Sequence, residues 1–231
     1  MPGRSRLDLA EANVAICREL VPRLVEMAPA GDLPLRPQPR RRHHVCGAAH
    51  FRPSQVTGPR HRNLLDSSRL RQPVAGDCGV AVQNVHAYVV GEHGDSEVPL
   101  WSSATIGGVP PSQWKNAGRP PLDTMAKADI FRRVVSGGGE VIAGKGFTNY
   151  AVSLATARII KSVLYDEHQV LPVSSLIDDF IGIKDMCLSV PSVVNRNGVQ
   201  RTLPVPLTSY EAEALQSSGE AVRTVIERCG L

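Results

Sequence analysis

Apolar and polar residues alternate along this chain in two ordered stretches, separated by one with no period. Ser5–Met27 places Leu7, Ala10, Val14, Cys17, Leu20, Val21 and Leu24 close to a 3.6-residue repeat, which predicts an amphipathic helix. Ser5 and Asp8 stand as a capping box at its start, and Pro22 would kink its last turns. Pro34–Asn63 then shows neither a helical nor a strand period and holds five prolines.

Order returns at Leu64–Gly79, a predicted helix starting near Asp66. Asn84–Val90 and Glu97–Ile106 predict strands on either side of a short loop. Asp123–Ile142 predicts a long helix with Met125, Ala128, Ile130, Phe131, Val134 and Val135 on or near one face, weakened or kinked where Gly137–Gly139 falls. Gly144 and Gly146 interrupt it, and Thr148 is placed to cap a second helix ending at Leu164. Three β-type runs follow, Gln169–Ile177, Met186–Asn195 and Val199–Pro206, the last two joined by the hairpin signal Asn197-Gly198. Ser209–Cys229 closes the chain as an amphipathic helix. Helices and antiparallel strands are mixed from Asp66 onward, which defines an α+β domain.

Composition adds bounds rather than a class. With 231 residues, 42% hydrophobic and 21% charged, the chain can bury one good core or two small ones. No apolar run approaches the roughly 20 residues needed to span a bilayer, and the opening MPGRSRLDL has no apolar signal core, so the expected address is the cytoplasm, with no membrane partner. Cys17, Cys46, Cys78, Cys187 and Cys229 are scattered and contain no CxxC pair. That argues for reduced thiols and against a disulfide framework or structural zinc.

The net charge of +4 is local. Between Leu33 and Leu65 lie seven arginines, four of the seven histidines and no acidic residue, which leaves −3 for the rest of the chain. His43, His44, Cys46 and His50 imitate a metal site without an established zinc spacing. Arg40–Arg42 imitates a nucleic-acid patch without aromatic interleaving or a basic fold behind it. Neither a metal nor a nucleic acid is therefore expected.

Candidate chemistry gathers at Val85–Pro99, VHAYVVGEHGDSEVP. His93 follows an apolar strand, Asp95 lies two residues on, and Gly91 and Gly94 would let a substrate approach the backbone. An imidazole that exchanges a proton with a hydroxyl or carbonyl needs a buried carboxylate to hold its tautomer. Asp66, in the run D-S-S-R-L-R, can be that carboxylate, with Arg69 one turn on to grip an anionic substrate through two hydrogen bonds. On residue types alone a plainer reading ranks first: Asp66 as a helix cap, Arg69 as a surface residue and His93 as a satisfied loop histidine.

Three motifs shift that balance. NVHAYVVGEHGDSEVPLWSSATIGGVP, LDSSRLR and KGFTNYAV together resemble, in order and spacing, the L-lactate dehydrogenases of the lactate/malate dehydrogenase family. The resemblance covers Ser5–Ala30 and Leu64–Leu231. It implies His93 as proton donor and acceptor, Asp66 as its partner, Arg69 as the clamp on a substrate carboxylate, and Thr148 lining the substrate pocket. Arg6 matches the arginine that the family's mobile loop brings down to polarise the carbonyl, although Arg4 stands where the family usually has a glutamate. Val152 would contact the nicotinamide of an NAD cofactor.

The implied reaction is hydride transfer between NAD and the pyruvate/L-lactate pair, in glycolysis and pyruvate fermentation. SEVPLWS and Thr148 lean towards lactate, and a malate dehydrogenase ranks behind. Arg71 and His86 match the pair that binds the phosphates of the allosteric effector fructose 1,6-bisphosphate across a subunit interface in bacterial members, and the family is typically a homotetramer.

The sequence contains no G-x-G-x-x-G turn for a dinucleotide pyrophosphate. The expected organisation is thus a remnant of the NAD-binding Rossmann domain over 1–63, from a chain that begins on the family's mobile loop, and the C-terminal catalytic domain over 64–231. Gln38–Pro53, QPRRRHHVCGAAHFRP, can be encoded so that the same bases read one position later give Asn-Pro-Val-Asp-Val-Ile-Thr-Tyr-Val-Ala-Leu-His-Ile-Ser-Gly-Leu, the strand end and helix the family has here. We read 34–63 as frameshifted and disordered, with a natural linker as the alternative. An inactive remnant that at most associates with intact subunits is the alternative to an active dehydrogenase.

Overall fold

The helix Arg62–Cys78, α1, runs between the other elements and touches most of them. It is part of a computed structural model that describes residues 62–115 and 120–228, together with Glu19 and Arg23. Those last two are helical and lie within the predicted Ser5–Met27 helix. The rest of that helix, Arg6, nearly all of Pro34–Asn63 and Cys229 fall outside the described residues. The helix α1 already includes Arg62, ahead of the predicted start near Asp66, because Leu64 is itself a core residue that anchors the turn before it. Asp66 is therefore no cap. It sits inside the helix and is 2% exposed.

Leu70, Val74, Ala75 and Cys78 of α1 bury against Val85, Ala87, Val89, Ala104 and Ile106, and against Ile130 and Val134 of α2, Thr124–Lys145. Each large apolar side chain so buried stabilises the fold by about 1.5–3 kcal/mol. Asp123 caps α2, its Oδ1 accepting the Ala126 N–H at 2.8 Å. Helix α2 runs unbroken through Gly137–Gly139 and past its predicted end at Ile142 to Lys145, ending at Gly146 with φ 86°. Ile130 and Val134 hold the helix on the core side, and this anchoring outweighs the roughly 1 kcal/mol that each helical glycine costs.

The next helix, α3, spans Tyr150–Leu164 with Asn149, not Thr148, at the N-cap position. The Asn149 side-chain oxygen Oδ1 accepts from the Lys145 ammonium at 2.7 Å, so that side chain caps nothing, and Thr148 lies exposed ahead of the helix.

The predicted strand Asn84–Val90 divides into β1, Val85–His86, and β2, Val89–Val90. Its two halves have different partners: β1 pairs with β4, Thr105–Ile106, and β2 pairs with β3, Val98–Pro99, both antiparallel. The main sheet is antiparallel in the order β5-β6-β7, formed by Gln169–Ile177, Met186–Asn195 and Gly198–Thr202. Asn195 pairs with Gly198, so the two-residue hairpin loop is Arg196–Asn197, with Gly198 at φ 84° re-entering the strand. Pro204 and Pro206 lack the N–H needed to extend β7 to its predicted end.

Residues of one phase along β5 and β6 form a continuous apolar face. At one end Leu171, Val173 and Val194 meet Leu64 of α1 and Ala155 and Ile159 of α3. At the other end Ile177, Met186, Leu188 and Val190 meet Leu215 of α4, Ser209–Arg228, together with Val90, Val98 and Leu100. A capping box starts α4, in which the Thr208 hydroxyl accepts the Glu211 N–H and the Glu211 carboxylate accepts the Thr208 N–H. No helix among the described residues is long and apolar enough to cross a membrane.

The loop carrying His93 is docked on the edge of β6 that β7 leaves open. Gly91 exchanges both backbone hydrogen bonds with Ser189. Ser218, fully buried on α4, accepts the Glu92 N–H at 2.7 Å and meets the Ser96 hydroxyl at 3.2 Å. Gly91 has φ 89°, and a Cβ there would come within 2.6 Å of the Ser218 Oγ. Its missing side chain thus admits α4, not a substrate as the sequence suggested.

Gly91→Ala is expected to destabilise the chain by about 1–3 kcal/mol from backbone strain alone, with a lower denaturant midpoint. Gly139→Ala, at a helical position with nothing within 4 Å of the new Cβ, is expected to raise stability by about 0.5–1 kcal/mol. The same denaturation series measures both.

Candidate active site

The second turn of α1 presents Asp66, Ser67, Arg69 and Leu70 inward together, because residues three and four apart share a helix face. The Ser67 hydroxyl accepts the Val89 N–H at 2.8 Å, which fixes β2 against α1. One residue after β2 the chain turns at Gly91, and His93 swings back over Asp66. Its Nδ1 lies 2.5 Å from Asp66 Oδ2. The other Asp66 oxygen, Oδ1, accepts from Arg69 Nη1 at 3.3 Å.

Burial grades outward through this cluster. The Asp66 side chain is 2% exposed, Arg69 23% and His93 33%. A carboxylate sealed beneath a histidine fixes the tautomer with the proton on Nδ1, so Nε2 is the atom free to accept or deliver a proton at the open side. Arg69, with one nitrogen on Asp66, keeps further donors for a planar anion. Gly137 and Gly138 of α2 lie alongside the guanidinium, and a Cβ on Gly137 would touch the Arg69 Cδ at 3.7 Å. The arrangement can transfer a proton to or from a substrate oxygen while holding a neighbouring carboxylate.

The plainer reading of the three residues is thereby set aside, since Asp66, Arg69 and His93 form one hydrogen-bonded unit. Asp95, the carboxylate two residues after His93, is exposed. The buried carboxylate of the loop is Glu97, which no motif argument singled out. Its signal lay in strand pairing: Val90 pairs with Val98, so Glu97 falls level with Gly91 at the mouth of the loop. Burial first, then the Asp66 charge and a hydrogen bond to Asp66, push the Glu97 carboxyl up to about 9.

Arg71 points away from this cluster. Its Nε donates to the Ala87 carbonyl at 2.9 Å and its guanidinium lies 5.4 Å from the Tyr88 ring centroid. Burial lowers the pKa of this guanidinium from its ordinary value, with Tyr88 opposing. It lines a groove of about 620 Å³ with Ser68, Leu154, Arg158 and Gln169. His86 is exposed on β1, next in sequence to Ala87. Thr148 is exposed, Val152 is half-buried in the first turn of α3, and neither hydrogen-bonds to the His93 cluster. One side-chain polar atom from each of Asp66, His93 and Glu97 lies within 4.8 Å of the others.

The model of the lactate/malate dehydrogenase alpha/beta C-terminal domain matches residues 64–229. L-Lactate dehydrogenase of Bifidobacterium animalis subsp. lactis is 44% identical over 235 residues, covering 99% of this chain and 72% of its own. Among solved structures, the lactate dehydrogenase of Cryptosporidium parvum complexed with lactic acid and nicotinamide adenine dinucleotide superposes with a TM-score of 0.70 at 29% identity, over 74% of this chain and 54% of its own. The malate dehydrogenase of the same organism gives 0.69 at 28% identity, over 74% and 55%. Chain-wide identity, a matching domain and a histidine on a buried aspartate together place the chain in the lactate/malate dehydrogenase family.

Proposed function

We propose that the chain acts as an L-lactate dehydrogenase, interconverting pyruvate and L-lactate with NAD; the observation that carries this is His93 seated on the buried Asp66 beside Arg69. The chemistry of the donor set fits such a cofactor, because the cluster offers a proton carrier and an anion clamp but no electron carrier. NAD, when bound, supplies the hydride acceptor or donor.

The chain's own residues do the remainder. Arg69 binds the substrate carboxylate through the donors not engaged by Asp66, and so orients the carbonyl towards His93. His93 delivers a proton from Nε2 to the carbonyl oxygen in reduction and takes it back from the hydroxyl in oxidation. Asp66 holds the ring in place and stabilises its protonated form in passing. We assign to Arg6 the stabilisation of charge on the carbonyl oxygen, to Thr148 a wall of the substrate pocket and to Val152 a contact with the nicotinamide. Residues 1–63 belong in this reading to the cofactor-binding domain, and the protein works in the cytoplasm. Lactate is preferred over malate on the strength of SEVPLWS and Thr148, and the 44%-identical relative carries the lactate dehydrogenase name.

The same reading makes the protein a homo-oligomer, a tetramer by family. Met125 of α2 and Tyr150, Leu154 and Leu164 of α3 are each more than 70% exposed, an apolar surface suited to a second copy. Arg71 and His86 would then receive the phosphates of fructose 1,6-bisphosphate at such an interface, a role supported by the groove that Arg71 shares with Arg158.

Purified chain is expected to oxidise NADH with pyruvate. His93→Asn should lower kcat by about 10²–10⁴-fold with unchanged circular dichroism. Arg69→Lys should act mainly on KM for pyruvate, through loss of the two-pronged fork. Absence of both turnover and NADH binding would select the inactive alternative. Fructose 1,6-bisphosphate should raise the sedimentation coefficient or the melting temperature, and Arg71→Gln should abolish that response; no response in the parent chain overturns the effector assignment.

A further inference from the structure

The proton-transfer cluster has a fourth member that the reaction leaves idle. Glu97 is 8% exposed, and it is placed beside Asp66 by the β2–β3 register. The Asp66 and Glu97 carboxyls are both buried and carry oxygens within 4.8 Å of each other, and two such groups do not both stay ionised, so one of them holds a proton. His93 and Arg69 already occupy the two Asp66 oxygens as donors, so the proton is assigned to Glu97. The charged and titratable groups facing Glu97 are Asp66 and Arg69 from α1 and Glu92 and His93 on its own loop.

We propose that Glu97 is a positioning residue: as a neutral acid it donates a hydrogen bond to Asp66, holding that carboxylate towards His93 and Arg69. Its neutrality also keeps negative charge from accumulating beneath the guanidinium that is to bind an anion. Ionised Glu97 beside Asp66 would give the cluster a second anion, and Arg69 would be left neutralised before any substrate arrived. The role of Glu97 towards Asp66 stands on geometry, and its effect on substrate binding rests on the dehydrogenase reading above.

Glu97 must then retain its proton in the folded chain at neutral pH. The unfolded chain releases it above its ordinary value of 4.5, whereas the folded chain does so only near 9. Folded protein therefore binds more protons than unfolded protein across that window, and the contribution of Glu97 to stability falls as pH rises through it.

The first test is spectroscopic and needs no turnover. In chain labelled with ¹³C at its glutamate carboxyls, the resonance missing from Glu97→Gln should keep the protonated-acid position at about pH 7, well above the usual glutamate range. Denaturant midpoints of the parent and Glu97→Gln should lie close together near pH 5 and separate in favour of the variant towards about pH 8. The second test is kinetic. KM for pyruvate should climb by up to about tenfold per pH unit above about pH 9 in the parent, and that rise should be missing from Glu97→Gln. Glu97→Leu should lose kcat that Gln retains, because only Gln can still donate to Asp66.

An ionised carboxyl at neutral pH, or an identical alkaline rise in the parent and Glu97→Gln, overturns the proposal. Failure of both proteins to turn over pyruvate would count against the dehydrogenase reading alone, and the carboxyl resonance would still decide the state of Glu97.

Discussion

The site depends on one carboxylate, Asp66, being held away from water with its two oxygens committed in different directions. One oxygen is covered by the His93 ring at 2.5 Å and the other by Arg69 at 3.3 Å. A buried unpaired charge would cost several kcal/mol, so these partners are conditions of the fold as much as of the chemistry. Burial makes the pairing directional. In a medium that screens poorly, a carboxylate behind an imidazole sets which ring nitrogen carries the proton and leaves the other for a substrate oxygen.

Keeping Asp66 in place draws on elements remote in sequence. Helix α1 is fastened at one end by Leu64 on the sheet and at the other by Leu70–Cys78 in the core shared with α2. The loop that brings His93 over Asp66 is fixed separately, by Gly91 on the edge of β6 and by Ser218 of α4. Three units of structure thus meet at one hydrogen bond, with α4 supplying a serine that approaches only because residue 91 has no side chain. A loop secured at both backbone and side chain keeps the His93–Asp66 geometry without a substrate to organise it, which is the pre-organisation that proton transfer requires.

The outer face is organised differently. Helices α2 and α3 carry exposed Met125, Tyr150, Leu154 and Leu164, while their inward residues Ile130, Val134, Ala155 and Ile159 complete two of the cores. Arg71 stands between the two regimes: its Nε ties α1 to the strand before the His93 loop, and the same side chain lines the groove beside α3. Any ligand bound in that groove would be connected to the site by a few residues of α1.

Much was legible in the chain itself. The amphipathic pattern of α4 and the β-type runs of β5 and β6 are local properties, and these elements lie where their patterns put them, while the hairpin signalled at Asn197-Gly198 turns one residue earlier, at Arg196–Asn197. The motifs that carry Asp66, Arg69 and His93 pointed by resemblance to the family, and with it to a histidine–aspartate pair beside an arginine. What local pattern could not decide was anything that depends on a partner distant in sequence. Whether Asp66 caps a helix or lies buried within it turned on Leu64 finding the sheet. The survival of α2 through three glycines turned on the core beneath Ile130 and Val134, and the cap of α3 on a lysine's reach to Asn149. The use of Gly91 turned on a serine 127 residues away, and the choice between Asp95 and Glu97 as the buried carboxylate on the register of β2 with β3. Periodicity and motif likeness decided which elements form and which family the chain resembles, and packing across the fold decided which groups are desolvated and held together.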